Sequence, residues 1–327
     1  MNTRRSNVVH DQKLVWFPVD EDENLLSREE PYAGLESVYL DTLPRDISVH
    51  VMPIGGTSRA RKDFAVGIEP DDKAFEKIIA GGLEQRGSYH TALARAVCNF
   101  FQQTASQMMH DEGAAYEIVS LRDKDSDEAI GFDLFGINFR SLEFRGNTVI
   151  QTVPNDWAIE HQLPTRIEVE REKTVIFSLP PEFHDLNKTK DSLRRFGGAA
   201  IAQMYETSQA NKNLGYDAKA HIRAENLALA AATRSIGWSA GQNLYNLFTE
   251  YYVLYRRLIF ERSIISVREN ILRTLNDALQ RVARKFKKIV TLRIAGLPTR
   301  EDANRAIREL ASGSRTFGSV LDDFSLL

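Results

Sequence analysis

The stretch Gly237-Trp-Ser-Ala-Gly241 has the Gly-x-Ser-x-Gly spacing that can raise a serine nucleophile on a sharp turn for acyl transfer. Its surroundings predict otherwise. That turn needs a strand before the serine, and Leu227-Ala-Leu-Ala-Ala-Ala-Thr-Arg-Ser-Ile is an alanine-rich helix former. The chemistry also needs a histidine after Ser239, and the last one is His221. A close helix crossing or a kink at the two glycines fits better. The seven histidines, His10, His50, His90, His110, His161, His184 and His221, are scattered singly, with no zinc spacing. His221 and Glu225 share a helix face, but two groups do not hold a metal. Glu168 and Glu170 fall on the polar side of a strand. Neither Gly-x4-Gly-Lys-Ser/Thr nor Gly-x-Gly-x-x-Gly occurs, which argues against a nucleotide-driven motor. We therefore expect no enzyme, no catalytic residue, no metal and no cofactor.

Arg5 and His10 have the Arg-x4-His spacing of HEPN ribonucleases, but they lie outside any convincing amphipathic helix and read as an arm. The single cysteine, Cys98, excludes an intramolecular disulfide and a thiolate cluster; its apolar setting predicts a core position and a reducing compartment. No apolar run follows the basic start, and none reaches membrane-spanning length, so neither secretion nor a membrane partner is expected.

With 43% apolar and 27% charged residues, 327 residues can form one large domain or two medium ones. The net charge of -3 hides an uneven distribution. Seven acids between Asp20 and Glu36 meet only Arg28, whereas Glu250 to Arg293 holds eleven Lys and Arg against four Asp and Glu. A basic helix of that kind attracts polyanions or an acidic protein face.

These residues need elements to hold them, and the periodicity predicts α+β, predominantly helical. Leu14-Val-Trp-Phe and Ile47-Ser-Val-His-Val-Met look β-like in an irregular region 1–87. Asp71 or Asp72 opens a helix through Ala80, stopped by Gly81-Gly82, and a second helix runs from Ser88 to about His110, ended by Gly113. A period of two then marks a central β-rich region, about 114–179, with a hairpin at Gly146-Asn147, and 88–180 forms one unit. The region 181–295 reads as helical, almost entirely so from Lys188, with breaks near Asn211 to Gly215 and at Gly237 and Gly241. Its long amphipathic C-terminal helix carries Leu244, Phe248, Tyr251, Tyr255, Leu258, Ile265, Leu272, Leu275, Leu279, Val282 and Phe286 as one stripe. Unbroken, that stripe would span roughly 65 Å and would need a second long helix, in this chain or a neighbour, to cover it. Thr299 caps a short helix to about Ala311 within a small segment 296–327.

The order of parts resembles the bacteriophage portal family, the ring-shaped head-to-tail connectors. Ala94-Arg-Ala-Val-Cys-Asn-Phe-Phe-Gln-Gln running into Glu112-Gly-Ala-Ala-Tyr-Glu-Ile-Val is similar to the family's helix-to-strand passage. Gly131-Phe-Asp-Leu-Phe to Val149-Ile-Gln, then Arg171-Glu-Lys-Thr-Val-Ile-Phe-Ser-Leu-Pro, is similar to its next strands. Tyr252 to Leu279, with Arg268-Glu-Asn-Ile-Leu-Arg-Thr-Leu-Asn, and the helix ending Glu309-Leu-Ala-Ser-Gly resemble its long helix and C-terminal segment. The chain is short for the family, and no clip between two stem helices is legible.

The resemblance implies a structural homo-oligomeric ring around double-stranded DNA in the virion, with capsid and tail adaptor proteins as partners. For a chain not encoded by a phage, the cytoplasm is the expectation. Arg256, Arg257, Arg262, Arg268 and Arg273 are then candidates for DNA or subunit contacts. The alternative is a nucleic-acid-binding or regulatory protein that uses the same helix without a ring. On an exposed face, reversing such charges would cost only about 0–1 kcal/mol each in stability.

Overall fold

The computed structural model describes residues 8–17, 38–53, 64–84, 92–191, 218–240 and 248–324. The fold is α+β with a long C-terminal helix. Its central strand is β3 (Gly113–Asp123), buried without interruption through Leu121. Antiparallel to it run β4 (Ala129–Ile137) on one side, and β1 (Val8–His10) and β8 (Thr174–Ser178) on the other. A second sheet, β5 (Leu142–Arg145), β6 (Thr148–Thr152) and β7 (Arg166–Glu170), is also antiparallel. The β5–β6 turn is the predicted one, with Arg145 opposite Thr148 and Gly146 at φ +59°. In β7, Ile167 and Val169 are buried while Glu168 and Glu170 are exposed, as alternation requires. The β-rich reading of 114–179 holds in part: strands dominate it, but the helix Asn155–His161 interrupts them.

Three helices and the long one enclose the main core. Helix α1 (Val38–His50) buries Leu43 and Ile47, and the same four-residue spacing carries on to Val51. That spacing is helical, so the β-like reading of Ile47 to Met52 is corrected: β-branched residues gave way to a tertiary surface that buries every fourth residue. Asp72 caps α2 (Lys73–Leu83), its Oδ1 accepting from Phe75 N at 2.9 Å. Gly81 and Gly82 do not stop α2 but lie within it. A Cβ on Gly82 would stand 2.6 Å from the Phe132 ring, so the glycine lets α2 sit against β4. Helix α3 (Leu93–Asp111) ends at Glu112, whose φ is +65°, and Gly113 begins the strand instead of ending the helix. The proposed cap Ser88 lies outside the described residues. Cys98 is half-buried against this core, and burial raises its thiol pKa.

Residues 11–17 belong to no ladder, which corrects the strand expected at Leu14 to Phe17. Their backbone is held by buried side chains. Glu117 accepts from Leu14 N at 2.7 Å and from Lys13 N at 3.1 Å. Gln151 Oε1 accepts from Val15 N at 2.9 Å while its Nε2 donates to Val15 O at 2.6 Å. Leu14 and Phe17 are thereby fixed in the small core that β6, β7 and α4 (Asn155–His161) complete. Gln151→Leu should cost about 1–3 kcal/mol, because both polar groups of Val15 lose their partner. Hydrogen exchange should show the Val15 amide losing protection while the β3–β4 ladder keeps it; retained protection would mean the clasp is dispensable.

Two further helices follow: α5 (Ala218–Ala232), and α6 (Glu250–Lys285), about 54 Å long at 1.5 Å per residue. The helix is shorter than the stripe predicted for it: Phe248 precedes it, and Leu244 lies outside the described residues. Nor is the stripe a single seam. Ile264, Val267, Ile271, Leu275, Leu279 and Val282 enter the main core, whereas Leu258 and Ile265 meet α7 (Arg300–Ala311) and α8 (Phe317–Asp323). The chain therefore covers much of α6 itself, with a sheet, α3 and two short helices in place of a second long one.

Thr299 caps α7 as predicted, within a capping box that Asp302 completes. Between α6 and α7 lies a strand the helical reading missed, β9 (Thr291–Ala295), paired with β2 (Ala65–Glu69). Asn276 of α6 donates to Leu292 O at 3.0 Å and accepts from Leu292 N at 2.7 Å, doing for β9 what another strand would. Among the described residues no helix is long and apolar enough to cross a membrane.

Candidate functional site

The five arginines singled out on α6 do not share one solvated face. Arg256 is 3% exposed. It donates to Ala230 O at 2.8 Å, Thr233 Oγ1 at 2.8 Å and Trp238 O at 2.5 Å. Those acceptors come from the end of α5 and the turn after it, so Arg256 locks α5 to α6. Burial lowers its pKa, opposed by Tyr252, over whose ring the guanidinium lies. Arg268 is 8% exposed and donates to Pro298 O. Burial pulls its pKa down to about 10, against the attraction of Glu269 and Glu261. For these two the expectation of exposed contacts is corrected, because both are buried and bonded to acceptors of the chain itself. Arg257 and Arg262 are half-buried, and Arg273 is exposed.

The serine motif is part of the same lock. Gly237 has φ +74°, and a Cβ there would stand 2.3 Å from Arg256 O and 2.7 Å from Phe260 N. Only glycine permits this approach to α6. Trp238 is buried, its Nε1 donating to Asp46 Oδ2 at 2.8 Å. Ser239 follows a helix and a turn rather than a strand, so the spacing serves packing; Gly241 lies outside the described residues. No group of three metal-ligating side chains occurs among the described residues. His221, Glu225 and Arg5 lie outside what is described of side chains.

Two cavities flank the buried stretch of α6. One, of about 690 Å³, is lined by Lys188, Arg234, Arg256 and Arg262 together with Tyr252 and Tyr255. The other, of about 480 Å³, takes in Arg273 and Arg300 beside Glu182 and Glu269. There Glu182 is neutralised by Arg300 at 2.5 Å and accepts from Ser266 Oγ at 3.1 Å.

At the far end of α6 the charges face outward. Arg284, Lys285 and Lys287 are exposed on or just beyond the last turn, where the helix dipole favours cations. Partial burial lowers the pKa of Lys285, and so do Lys173 and Arg122 close by, while Asp11 pulls the other way. Lys285 donates to Ser120 Oγ, and Lys173 stands 3.9 Å from Asp11. Arg281 donates to Glu172 O at 2.7 Å and Thr174 O at 2.9 Å. Lys285 thus meets Lys173 and Arg122 where β3, the approach to β8 and the end of α6 come together, and the exposed Arg284 and Lys287 adjoin it along the chain; these five cations make up a basic patch. Sequence reading counted the α6 members of this patch but could not bring Arg122 and Lys173 to them, since no spacing links 122, 173 and 285.

No protein-family model matches the chain, and no curated protein matches it in sequence.

Proposed function

We propose that this protein is a non-catalytic subunit that holds nucleic-acid phosphates on the basic patch at the end of α6, and that it does so within a portal-like homo-oligomeric ring. The patch carries the reading. Several cations are held near one another, with Asp11 attracting Lys285 and Asp127 paired to Arg122 at 3.2 Å, and the cationic excess that remains suits a repeating phosphate backbone. The ring part is supported by the resemblance in order of elements.

A second reading, a nucleic-acid-binding protein that works as monomer or dimer, is favoured by one observation: the chain itself covers both apolar faces of α6. Arg284→Glu with Lys287→Glu should weaken duplex DNA binding at least tenfold at moderate salt, with the melting temperature nearly unchanged because both side chains are exposed. Unchanged affinity would remove the patch from the proposal. Light scattering on the unmodified protein separates the two readings, a ring by a mass many times that of the chain and the second by one or two chains.

A further inference from the structure

Separate from the patch, the 690 Å³ cavity gathers four cations from three parts of the chain: Lys188 from residues 186–191, Arg234 from the turn after α5, and Arg256 and Arg262 from α6. One carboxylate, Asp185, lines it, and that group already pairs with Lys188 at 3.1 Å and His184 at 3.0 Å. The Nε atoms of both Arg256 and Arg262 are buried and have no hydrogen-bond partner. Those nitrogens are shut off from the cavity, so an occupant would meet these arginines through their charge and outer nitrogens; two incompletely bonded guanidinium groups in one lining favour an occupant that carries negative charge. Thr189 and Ser235, also in the lining, can supply hydroxyl donors.

We propose that this cavity binds a small oxyanion of the phosphate class, with Arg262 and Arg234 supplying most of the recognition and Arg256 a fixed charge behind them. The volume suits a mononucleotide or a polyphosphate and is too small for a duplex. The phosphate could belong to a free small molecule or to a single strand, and the chemistry recognised is the same.

Pyrophosphate is the probe, followed by calorimetry and by thermal shift at constant ionic strength. Binding with a dissociation constant below a millimolar and a raised melting temperature is expected. Arg262→Gln and, separately, the exposed Arg234→Gln should each weaken it tenfold or more, while Arg284→Glu with Lys287→Glu should leave it unchanged. A short oligothymidylate that competes with pyrophosphate, and loses affinity in the same two variants, would identify a strand as the source; failure to compete identifies a free phosphate compound. No binding of either probe overturns the proposal, as does binding that both glutamine variants retain. The basic-patch reading stands or falls independently, through the double glutamate variant and duplex DNA.

Discussion

Arg256→Glu should destabilise the protein by about 3–5 kcal/mol, because it removes charged donors from three buried acceptors and puts a carboxylate against them. Ala230 O, Thr233 Oγ1 and Trp238 O would each face an acceptor instead of a donor. Arg256→Lys should recover part of the loss, since an ammonium can donate but cannot reproduce the fork that spans α5 and the turn. Arg257→Glu, one residue on and half-exposed, should cost no more than about 1 kcal/mol. Chemical denaturation checks the set. Equal, small losses at 256 and 257 would mean that the buried guanidinium contributes nothing.

Gly237→Ala should be nearly as severe, at about 3 kcal/mol or more. Two penalties combine there. A non-glycine residue in left-handed backbone costs about 1–2 kcal/mol by itself. In addition the new methyl would lie 2.3 Å from Arg256 O and 2.9 Å from Ile259 Cβ, so the turn must move off α6 and the bonds to Arg256 must stretch. Gly313→Ala separates the two, because Gly313 has φ +71° with open space around it and should show the backbone penalty alone. If both alanine variants lose the same amount, the close approach at Gly237 is not what holds the turn.

These two positions also show where the sequence stops being legible. The capping box at Thr299, the hairpin at Gly146 and the alternation of Ile167 and Val169 are local, and spacing alone predicts them. By contrast, α1 and β9 owe their state to distant partners: Leu43 and Ile47 to the main core, Leu292 to Asn276 and β2. Residues 14–17 look like a strand for their apolar run, yet the backbone of residues 13–15 is held by Glu117 and Gln151, more than a hundred positions away. The arginines of α6 are the sharpest case. All five look alike in the sequence, and only the turn that Gly237 permits turns Arg256 from a surface cation into a structural one. Counting charge singled out α6. Sorting its charges into buried ties, cavity lining and exposed patch required knowing which side chains the rest of the chain reaches.

The salt dependence of duplex DNA affinity shows whether the patch at the end of α6 engages nucleic-acid phosphates. Each phosphate neutralised contributes roughly 0.9 to the slope of log affinity against log salt, so a patch that engages three or more phosphates should give a slope of about -3 or steeper. The double change Arg284→Glu with Lys287→Glu should flatten it by about 2. A protein that binds no duplex DNA at low salt, or binds with an affinity indifferent to salt, would contradict the assignment of the α6 patch to nucleic-acid phosphates.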